Sequence, residues 1–332
     1  MPYHGPTSRV AGRRSPQRGS SSPPFLIHLW VAICALFGLL CATAVMANGT
    51  ITLLLSERGP AYDEVAEAFL ARLNDTRGVR VVHADDLDAR GGQTLVRDTG
   101  LLVPVGSRAT RLVAEHAGRT NAVLALMVPR SAFEAENWPT ALPRRRLSAV
   151  FIDQPPARSL ALIERLLPQA RQVAVLYTPR VLANLTALQQ EAGRRRLALR
   201  AHEIEQTGEV ASGLRQVLPG SDVLLLLPDA QVVNANNVQH LLLTTYRYRV
   251  PVIGFSQGLV RAGAIAAVYS TPAQIGAQGG DIARQWRMAE GELPPPTHCN
   301  EFSIAFNTNV ARSLGITLPD EAAVRQQLGA EP

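Results

Sequence analysis

Residues 147–177 have the sequence LSAVFIDQPPARSLALIERLLPQARQVAVLY, and this stretch decides the fold class. Two short apolar runs, Leu147–Ile152 and Val173–Tyr177, flank the longer segment Ala157–Leu167, whose amphipathic pattern predicts a helix. Strands that are apolar along their whole length and are joined through helices are typical of a parallel sheet covered on both faces. The stretch therefore predicts a strand–helix–strand unit of an α/β fold.

The same alternation continues on both sides of this unit. Further strands are predicted at Ile51–Leu55, Val79–His83, Leu101–Val105, Ala122–Met127, Leu199–Ile204, Val223–Leu227, Val250–Gly254 and Ala264–Val268. Further helices are predicted at Ala61–Leu73, Ser107–Ala117, Leu182–Arg195, Glu209–Leu218 and Val232–Tyr248, with a last one from Thr271-Pro272 to Gly291. Residues 129–146 interrupt the rhythm with prolines and three consecutive arginines, and we interpret them as an irregular joint between two α/β units. We therefore predict two Rossmann-like lobes, each a parallel sheet flanked by helices, with a ligand cleft between them.

The composition excludes several classes of protein. The 332 residues are 46% hydrophobic and include only three cysteines, which excludes a disordered chain and a disulfide-stapled scaffold. All 33 basic residues are arginine, so the chain has no lysine for a Schiff base or a Walker A phosphate loop. Four of these arginines lie in residues 1–47, and the remaining net charge of +2 argues against binding to a nucleic-acid backbone.

The first 47 residues have the features of a targeting segment. A basic stretch rich in serine and proline precedes an uncharged apolar run from Phe25 to Val45. Cleavage sites for a signal peptidase are offered by the small residues Ala42, Ala44 and Ala47. A run of about 20 apolar residues also suffices to span a bilayer. We therefore predict that residues 1–47 are either a cleaved signal peptide or a membrane anchor, and that the rest of the chain is exported.

Polar residues follow several predicted strands, at the sheet edge where open parallel sheets bind their ligands. Ser107 begins a predicted helix, whose free N–H groups favour an anion such as a carboxylate. Asp229 is placed to hold an ammonium group or to cap a helix. The candidate ligand-binding residues are Ser107, Tyr177, Thr178, Asp229 and Ser256. For each of them, helix capping or packing at the edge of a lobe is the structural alternative.

The motifs of common catalytic and metal sites are missing from the sequence. It has no G-x-S-x-G, H-E-x-x-H or G-x-G-x-x-G motif. His298-Cys299 has no second pair of ligands at zinc spacing. His83, Asp85, Asp86 and Asp88 resemble a metal cluster, but a strand-to-helix loop with capping aspartates explains them equally well. The arginine runs at 144–146 and 194–196 are interpreted as solvated surface. We therefore expect no catalysis, no cofactor and no metal.

Several motifs, taken in order, resemble those of one family. They are residues 106–110 (GSRAT), 166–177 (LLPQARQVAVLY), 223–229 (VLLLLPD), 250–254 (VPVIG) and 307–319 (NTNVARSLGITLP). Over about residues 50–320, and most strongly from 160 onward, the chain is similar to substrate-binding proteins of ABC transporters of the tryptophan/tyrosine-binding type. Where this family often has Asp-Pro after the fourth strand, the chain has Val128-Pro129.

The resemblance implies the periplasmic-binding-protein type I fold, in which two lobes joined by three crossovers close on a small ligand. One lobe is then expected to comprise residues 48–147 plus 271–292, and the other residues 148–270 plus 293–332. Ser107 would face a carboxylate and Asp229 an ammonium group. Tyr177, Thr178 and Ser256 would be further ligand contacts.

The expected function is that of an exported, periplasmic solute-binding protein. It would capture a small polar or amphipathic, amino-acid-like solute by lobe closure and present it to an ABC permease and ATPase on separate chains. One alternative is a sensory or accessory module of the same fold, either free or anchored to the inner membrane through residues 25–47. A second alternative is an α/β enzyme such as a hydrolase or a glycosyltransferase, which would need a nucleophile or a metal site.

Overall fold

Strands and helices alternate along the chain, and the computed structural model describes residues 50–87, 89–288 and 291–330. In chain order the strands are β1 (Ile51–Leu55), β2 (Val79–His83), β3 (Leu101–Val105), β4 (Ala122–Val128), β5 (Leu147–Phe151), β6 (Gln172–Tyr177), β7 (Ala198–Glu203), β8 (Val223–Leu225), β9 (Val252–Gly254), β10 (Ala266–Tyr269), β11 (Thr297–His298) and β12 (Ser303–Phe306). The helices are α1 (Pro60–Arg72), α2 (Ala89–Arg97), α3 (Ser107–His116), α4 (Arg130–Ala135), α5 (Pro156–Leu166), α6 (Leu182–Arg194), α7 (Val210–Val217), α8 (Val238–Arg247), α9 (Gln257–Ala262), α10 (Pro272–Met288), α11 (Thr308–Leu314) and α12 (Glu321–Ala330).

These strands form two six-stranded sheets, one in each lobe. The first sheet has the order β11-β5-β4-β3-β1-β2, and all of its strands are parallel. The second has the order β12-β10-β9-β8-β6-β7, with β12 antiparallel to β10 and the other pairs parallel. The prediction of two lobes, each built on a largely parallel sheet flanked by helices, is confirmed.

The apolar runs form strands because both faces of each sheet are covered. Side chains of a strand alternate between its two faces, and in β1 the residues Ile51, Leu53 and Leu55 pack in one core while Leu54 packs in another. The second lobe likewise has one core on each face of its sheet. A continuous apolar run is therefore what a strand in this fold requires.

The chain crosses between the lobes three times. The crossovers are residues 152–155 after β5, 270–271 after β10 and 299–302 after β11. The expected lobe boundary at residue 147 is wrong, because Leu147–Phe151 pairs with β4 in the first sheet. Residues 297–298 also belong to the first sheet, through β5, and not to the second lobe as expected. Residues 129–146 are consequently a connection within the first lobe, which contains α4.

Helix α10 closes the first lobe, although it follows the last parallel strand of the second. Its start is a capping box, in which Thr271 Oγ1 accepts a hydrogen bond from the Gln274 N–H and Gln274 Oε1 accepts one from the Thr271 N–H (3.2 and 2.8 Å). Against α1 the two backbones approach so closely that a Cβ on Gly280 would lie 2.5 Å from the carbonyl oxygen of Phe69. Only glycine fits at this contact.

The predicted signal peptide or anchor, residues 1–47, lies outside the described residues. Among the described helices, none is both long and apolar enough to cross a membrane. Cys299 is a buried free thiol.

Candidate ligand-binding cleft

Two cavities lie between the lobes, at the carboxyl ends of the strands. The larger one, here called the outer chamber, has a volume of about 460 Å³. Its lining from the first lobe comprises Ser107, Arg111, Pro129, Ser131, Ala132 and Ala135. Its lining from the second lobe comprises Arg180, Val181, Pro228, Asp229, Ala230 and Gln231. Because both lobes supply walls, a molecule in this chamber would contact both.

The smaller and more enclosed cavity, here called the inner chamber, has a volume of about 50 Å³. Pro228 lines both chambers, so the two adjoin. Apolar walls of the inner chamber come from the second lobe and include Leu188, Leu227, Phe255 and Val268. Its polar lining comprises Arg130, Asp153, Gln154, Ser159, Asn184 and His298. The inner chamber therefore combines an apolar surface with a few polar groups, as small-molecule sites commonly do.

Ser107 lines the outer chamber as the first residue of α3. The preceding Gly106 turns the chain with a positive φ of 86°, and a Cβ there would lie 2.8 Å from Ser56 Oγ. Ser56 Oγ accepts a hydrogen bond from the Ala109 N–H (2.9 Å), so this buried serine caps the helix from β1. The N-cap position itself is Gly106, and among the hydrogen bonds between described residues none involves the Ser107 side chain. Its hydroxyl group is left to face the chamber.

Asp229 and Thr178 form one buried unit in the second lobe. Asp229 Oδ2 accepts hydrogen bonds from the backbone N–H and the hydroxyl of Thr178 (3.1 and 2.7 Å). Its Oδ1 accepts one from the Gln231 N–H (3.0 Å). Asp229 is 7% exposed and Thr178 is 2% exposed. The structure thus brings Ser107 and Asp229 to opposite walls of one chamber, with Thr178 behind Asp229.

Like Thr178, the other two candidate residues, Tyr177 and Ser256, line neither chamber. Burial, and then a hydrogen bond to Glu203 on the edge strand β7, raise the pKa of Tyr177, whose ring packs against the core of the second lobe. Ser256 caps α9, because its Oγ accepts a hydrogen bond from the Leu259 N–H (3.2 Å). Packing at the edge of the lobe therefore accounts for the contacts of Tyr177, and helix capping accounts for those of Ser256.

Asp153, in the crossover after β5, joins the two lobes within the inner chamber. Its Oδ2 accepts a hydrogen bond from the Arg130 N–H of the first lobe (2.7 Å), and its Oδ1 accepts one from Asn184 Nδ2 of the second (3.2 Å). Burial raises the pKa of Asp153 to about 6. Burial, with the positive charges of Arg130 and Arg158, lowers the pKa of His298 to about 4. The chamber thus holds a buried carboxylate and a neutral imidazole at neutral pH.

Hydrogen bonds connect the three crossovers to one another beside this chamber. Gln154 Nε2 donates to Ser270 Oγ (2.9 Å), and Ser270 Oγ donates to the Glu301 carbonyl (2.8 Å). Arg158 in turn donates to Gln154 Oε1 (2.6 Å), and its guanidinium lies 4.2 Å from the centre of the Phe302 ring. The base of the cleft is therefore held in place before any solute enters.

A comparison with known protein families decides what kind of protein carries this cleft. A family model described as ABC transporter substrate binding protein matches residues 151–327, more than half of the chain. The chain belongs to this family. The family implies that this substrate-binding protein has a small-molecule ligand and ABC transporter partners. No curated protein matches the chain.

Solved structures support the type I periplasmic-binding fold of this substrate-binding protein. An ABC domain from Streptococcus pneumonia in complex with L-Trp has a TM-score of 0.62 and 16% identity, covering 84% of this chain and 98% of that one. A ligand-free, open substrate binding protein with adhesive properties from Clostridium difficile has a TM-score of 0.63 and 18% identity, covering 82% and 96%. A solute binding protein from R. palustris in complex with 4-hydroxybenzoate has a TM-score of 0.52 and 12% identity, covering 73% and 81%.

None of the residues predicted to bind the ligand lines the inner chamber of this substrate-binding protein. Asp153 follows strand β5 as Asp229 follows β8, so its position at a strand end was a usable signal. Arg130 begins the short helix α4, which lies within the first lobe and not in a joint between lobes as predicted. Asn184 lies within α6 and reaches the chamber only because that helix packs beside the crossover, and no sequence pattern marks it.

The groups considered as metal sites have other contacts. Asp85 pairs with Arg108 and Asp86 pairs with Arg58, whereas Asp88 lies outside the described residues. The His298 ring packs edge-on against Phe151, with 5.8 Å between centroids. Across the described residues, no three histidine, cysteine or carboxylate side chains are grouped as metal ligands. In the arginine runs, Arg145 pairs with Glu292 and Arg195 with Glu191, among other contacts.

Proposed function

We propose that this protein is exported and captures a small, amino-acid-like solute in the cleft between its lobes, for delivery to an ABC permease. The observation that carries the proposal is the pair of adjoining chambers, whose walls come from both lobes at the carboxyl ends of both sheets. A solute that contacts both walls favours the closed arrangement over the open one, because it gains contacts only when the lobes approach.

The outer chamber has the chemistry to hold a carboxylate. Ser107 and the free N–H groups at the start of α3 lie on one wall. Across from them is the exposed guanidinium of Arg180, and Arg111 stands 3.6 Å from its partner Glu136. Arginine forms charge-assisted hydrogen bonds with carboxylates, and these fix both the position and the orientation of the bound group. Asp229 and Thr178 shape the wall of the second lobe.

The inner chamber has the chemistry to hold the apolar part of the same solute. Leu188, Leu227 and Phe255 provide that surface. Two proteins of similar fold are described with ligands that join an aromatic ring to a carboxylate, namely L-Trp and 4-hydroxybenzoate. The two adjoining chambers offer a carboxylate site beside an apolar surface, which is the pair of surroundings that an amphipathic solute of this general type requires.

The test is a thermal-shift screen of the purified protein against amino acids, aromatic acids, sugars, nucleosides and short peptides at about 1 mM. A solute of micromolar affinity stabilises the folded protein by about 4 kcal/mol, and we expect a rise in Tm of about 10 °C for amino-acid-like solutes. Export predicts that the mature protein is found in the exported fraction and begins after Ala44 or Ala47. A screen in which sugars or nucleosides alone raise Tm contradicts the solute class.

A matched pair of arginine variants locates the solute. We expect Arg180→Ala to weaken binding of the solute found in the screen by at least about tenfold, because a hydrogen bond to a charged group contributes roughly 1.5–3 kcal/mol. Arg325 on α12 is equally exposed and lines neither chamber, so Arg325→Ala should bind as the unmodified protein does. Equal affinities for all three proteins would exclude a carboxylate site in the outer chamber.

A further inference from the structure

We infer that Asp153 in the inner chamber binds the ammonium group of the solute, in place of Asp229, which the sequence favours for that role. The inference rests on the proposed function and deepens it, since it names the group that distinguishes an amino acid from other carboxylates. Both aspartates follow a strand, line the cleft and are buried. Their surroundings decide between them.

Asp229 is already engaged by its own lobe. Its two oxygens accept three hydrogen bonds, from Thr178 twice and from the Gln231 N–H. These bonds hold the turn after β8 against the end of β6, so moving the carboxylate toward a solute would leave buried N–H and O–H donors without acceptors. Such donors are costly to bury. Asp229 is therefore a structural carboxylate that also forms part of the wall.

Asp153 keeps acceptor capacity in the inner chamber. Its donors are the Arg130 N–H, Asn184 Nδ2 and its own backbone N–H, whereas the two oxygens of a carboxylate together accept about four hydrogen bonds. It is 5% exposed, and it takes part in none of the ion pairs between described residues. An ionised carboxylate buried without a counter-charge is unfavourable, and an ammonium group placed beside it offsets that cost. The leucine and phenylalanine walls beside it suit the apolar body of the same solute.

Among the charged groups around Asp153, Arg130 favours its ionised form and Glu134 opposes it, and neither forms a direct ion pair with it. On α4 the Arg130 guanidinium is 2.7 Å from Glu134 and thus paired within its own helix. On α5 Arg158 donates to Gln154 and stacks on Phe302, and on β11 His298 is neutral because its pKa lies at about 4. Asn184 on α6 carries no charge. A bound ammonium group thus supplies the direct ion pair that Asp153 does not form with any described residue.

The experiment compares solutes that differ only in the ammonium group. The probes are L-leucine, L-phenylalanine and L-tryptophan, together with 4-methylpentanoate, 3-phenylpropanoate and indole-3-propanoate, which lack the amine. Calorimetric titration of the purified protein gives the affinity of each. We expect at least one amino acid to bind, and its amine-free counterpart to bind at least about tenfold more weakly, the loss expected for a charged hydrogen bond.

The variant Asp153→Asn tests whether this residue is the cause. We expect it to lose the discrimination between the amino acid and its amine-free counterpart, while the affinity for the counterpart stays within about threefold. For the unmodified protein, affinity for the amino acid should fall about tenfold per pH unit below pH 6, because the carboxylate is then protonated. In Asp153→Asn that dependence should be lost.

Each result separates this assignment from the proposed function. If the amine-free acids bind as tightly as the amino acids, solute binding stands and the ammonium site at Asp153 is refuted. If Asp153→Asn weakens the binding of both probes equally, Asp153 only links the two lobes, and the ammonium site is again refuted. If discrimination is lost in Asp229→Asn but kept in Asp153→Asn, the ammonium group binds at Asp229. If no probe binds, the amino-acid part of the proposed function fails, and this assignment with it.

Discussion

The two lobes have corresponding strand orders, but they are packed in different ways. The first sheet ends in β11, a two-residue strand parallel to β5, and one of its faces is covered by α1 and α10. Their contact is backbone against backbone, at Gly276 and Gly280. The second sheet ends in β12, a four-residue strand antiparallel to β10, and side chains of α5, α6, α11 and α12 fill the core beneath it.

The difference shows where each lobe tolerates change. Side chains in a core can shift or change rotamer to accommodate an added methyl group, whereas two helix backbones in contact must move apart. The first lobe also depends on a helix supplied by a distant part of the chain, so that α1 completes its packing only when α10 has returned from the second lobe. We therefore expect the first lobe to be the more sensitive of the two.

The largest effect is expected at the glycine contact. Gly280→Ala should lower the free energy of unfolding by about 3 kcal/mol, because its Cβ would meet the Phe69 carbonyl oxygen and force the helices apart. Urea denaturation followed by circular dichroism measures the change. Gly193 in α6 of the second lobe has open space around it, so Gly193→Ala should alter stability by less than about 1 kcal/mol, in the stabilising direction. Similar losses in both variants would contradict the contrast between the lobes.

The next effect concerns the pH dependence of stability where the two lobes join. The folded-state pKa of Asp153 is raised to about 6, so this group adds stability as the pH falls from 6 toward 4. His298 has a folded-state pKa lowered to about 4, so it removes stability over the window from about 6.5 to 4. The two contributions have opposite signs and offset each other in the unmodified protein.

Single variants should separate these contributions. On acidification from pH 7 to pH 4, Asp153→Asn should lose roughly 2 kcal/mol more stability than the unmodified protein. His298→Gln should lose less than the unmodified protein does. Urea denaturation at each pH gives these differences, and comparison at matched pH cancels the contributions of the other titrating groups. Parallel pH profiles for all three proteins would show that neither group has a shifted pKa.

The smallest effect compares one helix cap from each lobe. Thr271→Ala removes half of the capping box of α10, and Ser256→Ala removes the single cap of α9, so each should cost about 1 kcal/mol. Solute affinity should be unchanged in Ser256→Ala, since Ser256 lines neither chamber. If Ser256→Ala instead lowers the affinity for the solute and leaves the stability unchanged, Ser256 is a ligand contact. Thermal denaturation and calorimetric titration of the two variants decide this.

Much of the secondary structure follows from local pattern, and the errors have physical causes. Helix α2 begins at Ala89 and contains Gly91 and Gly92, which are poor helix formers, so no helix was predicted there. A helix was predicted from Val232, but α8 begins at Val238. There the Asn237 side chain accepts from the Asn234 N–H and donates to the Val232 carbonyl, which holds the preceding residues in turns. Such side-chain bonds compete with helix formation.

For the cleft, the sequence located strand ends but could not assign their roles. Ser107, Asp153 and Asp229 all follow strands, and all line a chamber. Ser256 also follows a strand, yet it caps a helix. Whether a polar side chain at a strand end bonds its own turn or faces a cavity depends on neighbours that are distant in sequence. Thr178 is such a neighbour for Asp229, and Asn184 is one for Asp153.

By itself, the sequence determined the fold class, the presence of two lobes and the set of strand ends from which a cleft could be built. It could do so because apolar periodicity and turn residues act over a few positions, within reach of local pattern. Only the tertiary structure decided that Leu147–Phe151 and Thr297–His298 belong to the first sheet, and that Asp153 lies between the lobes. Strand pairing and helix packing depend on which surfaces meet across more than a hundred residues, and every buried parallel strand has much the same sequence pattern.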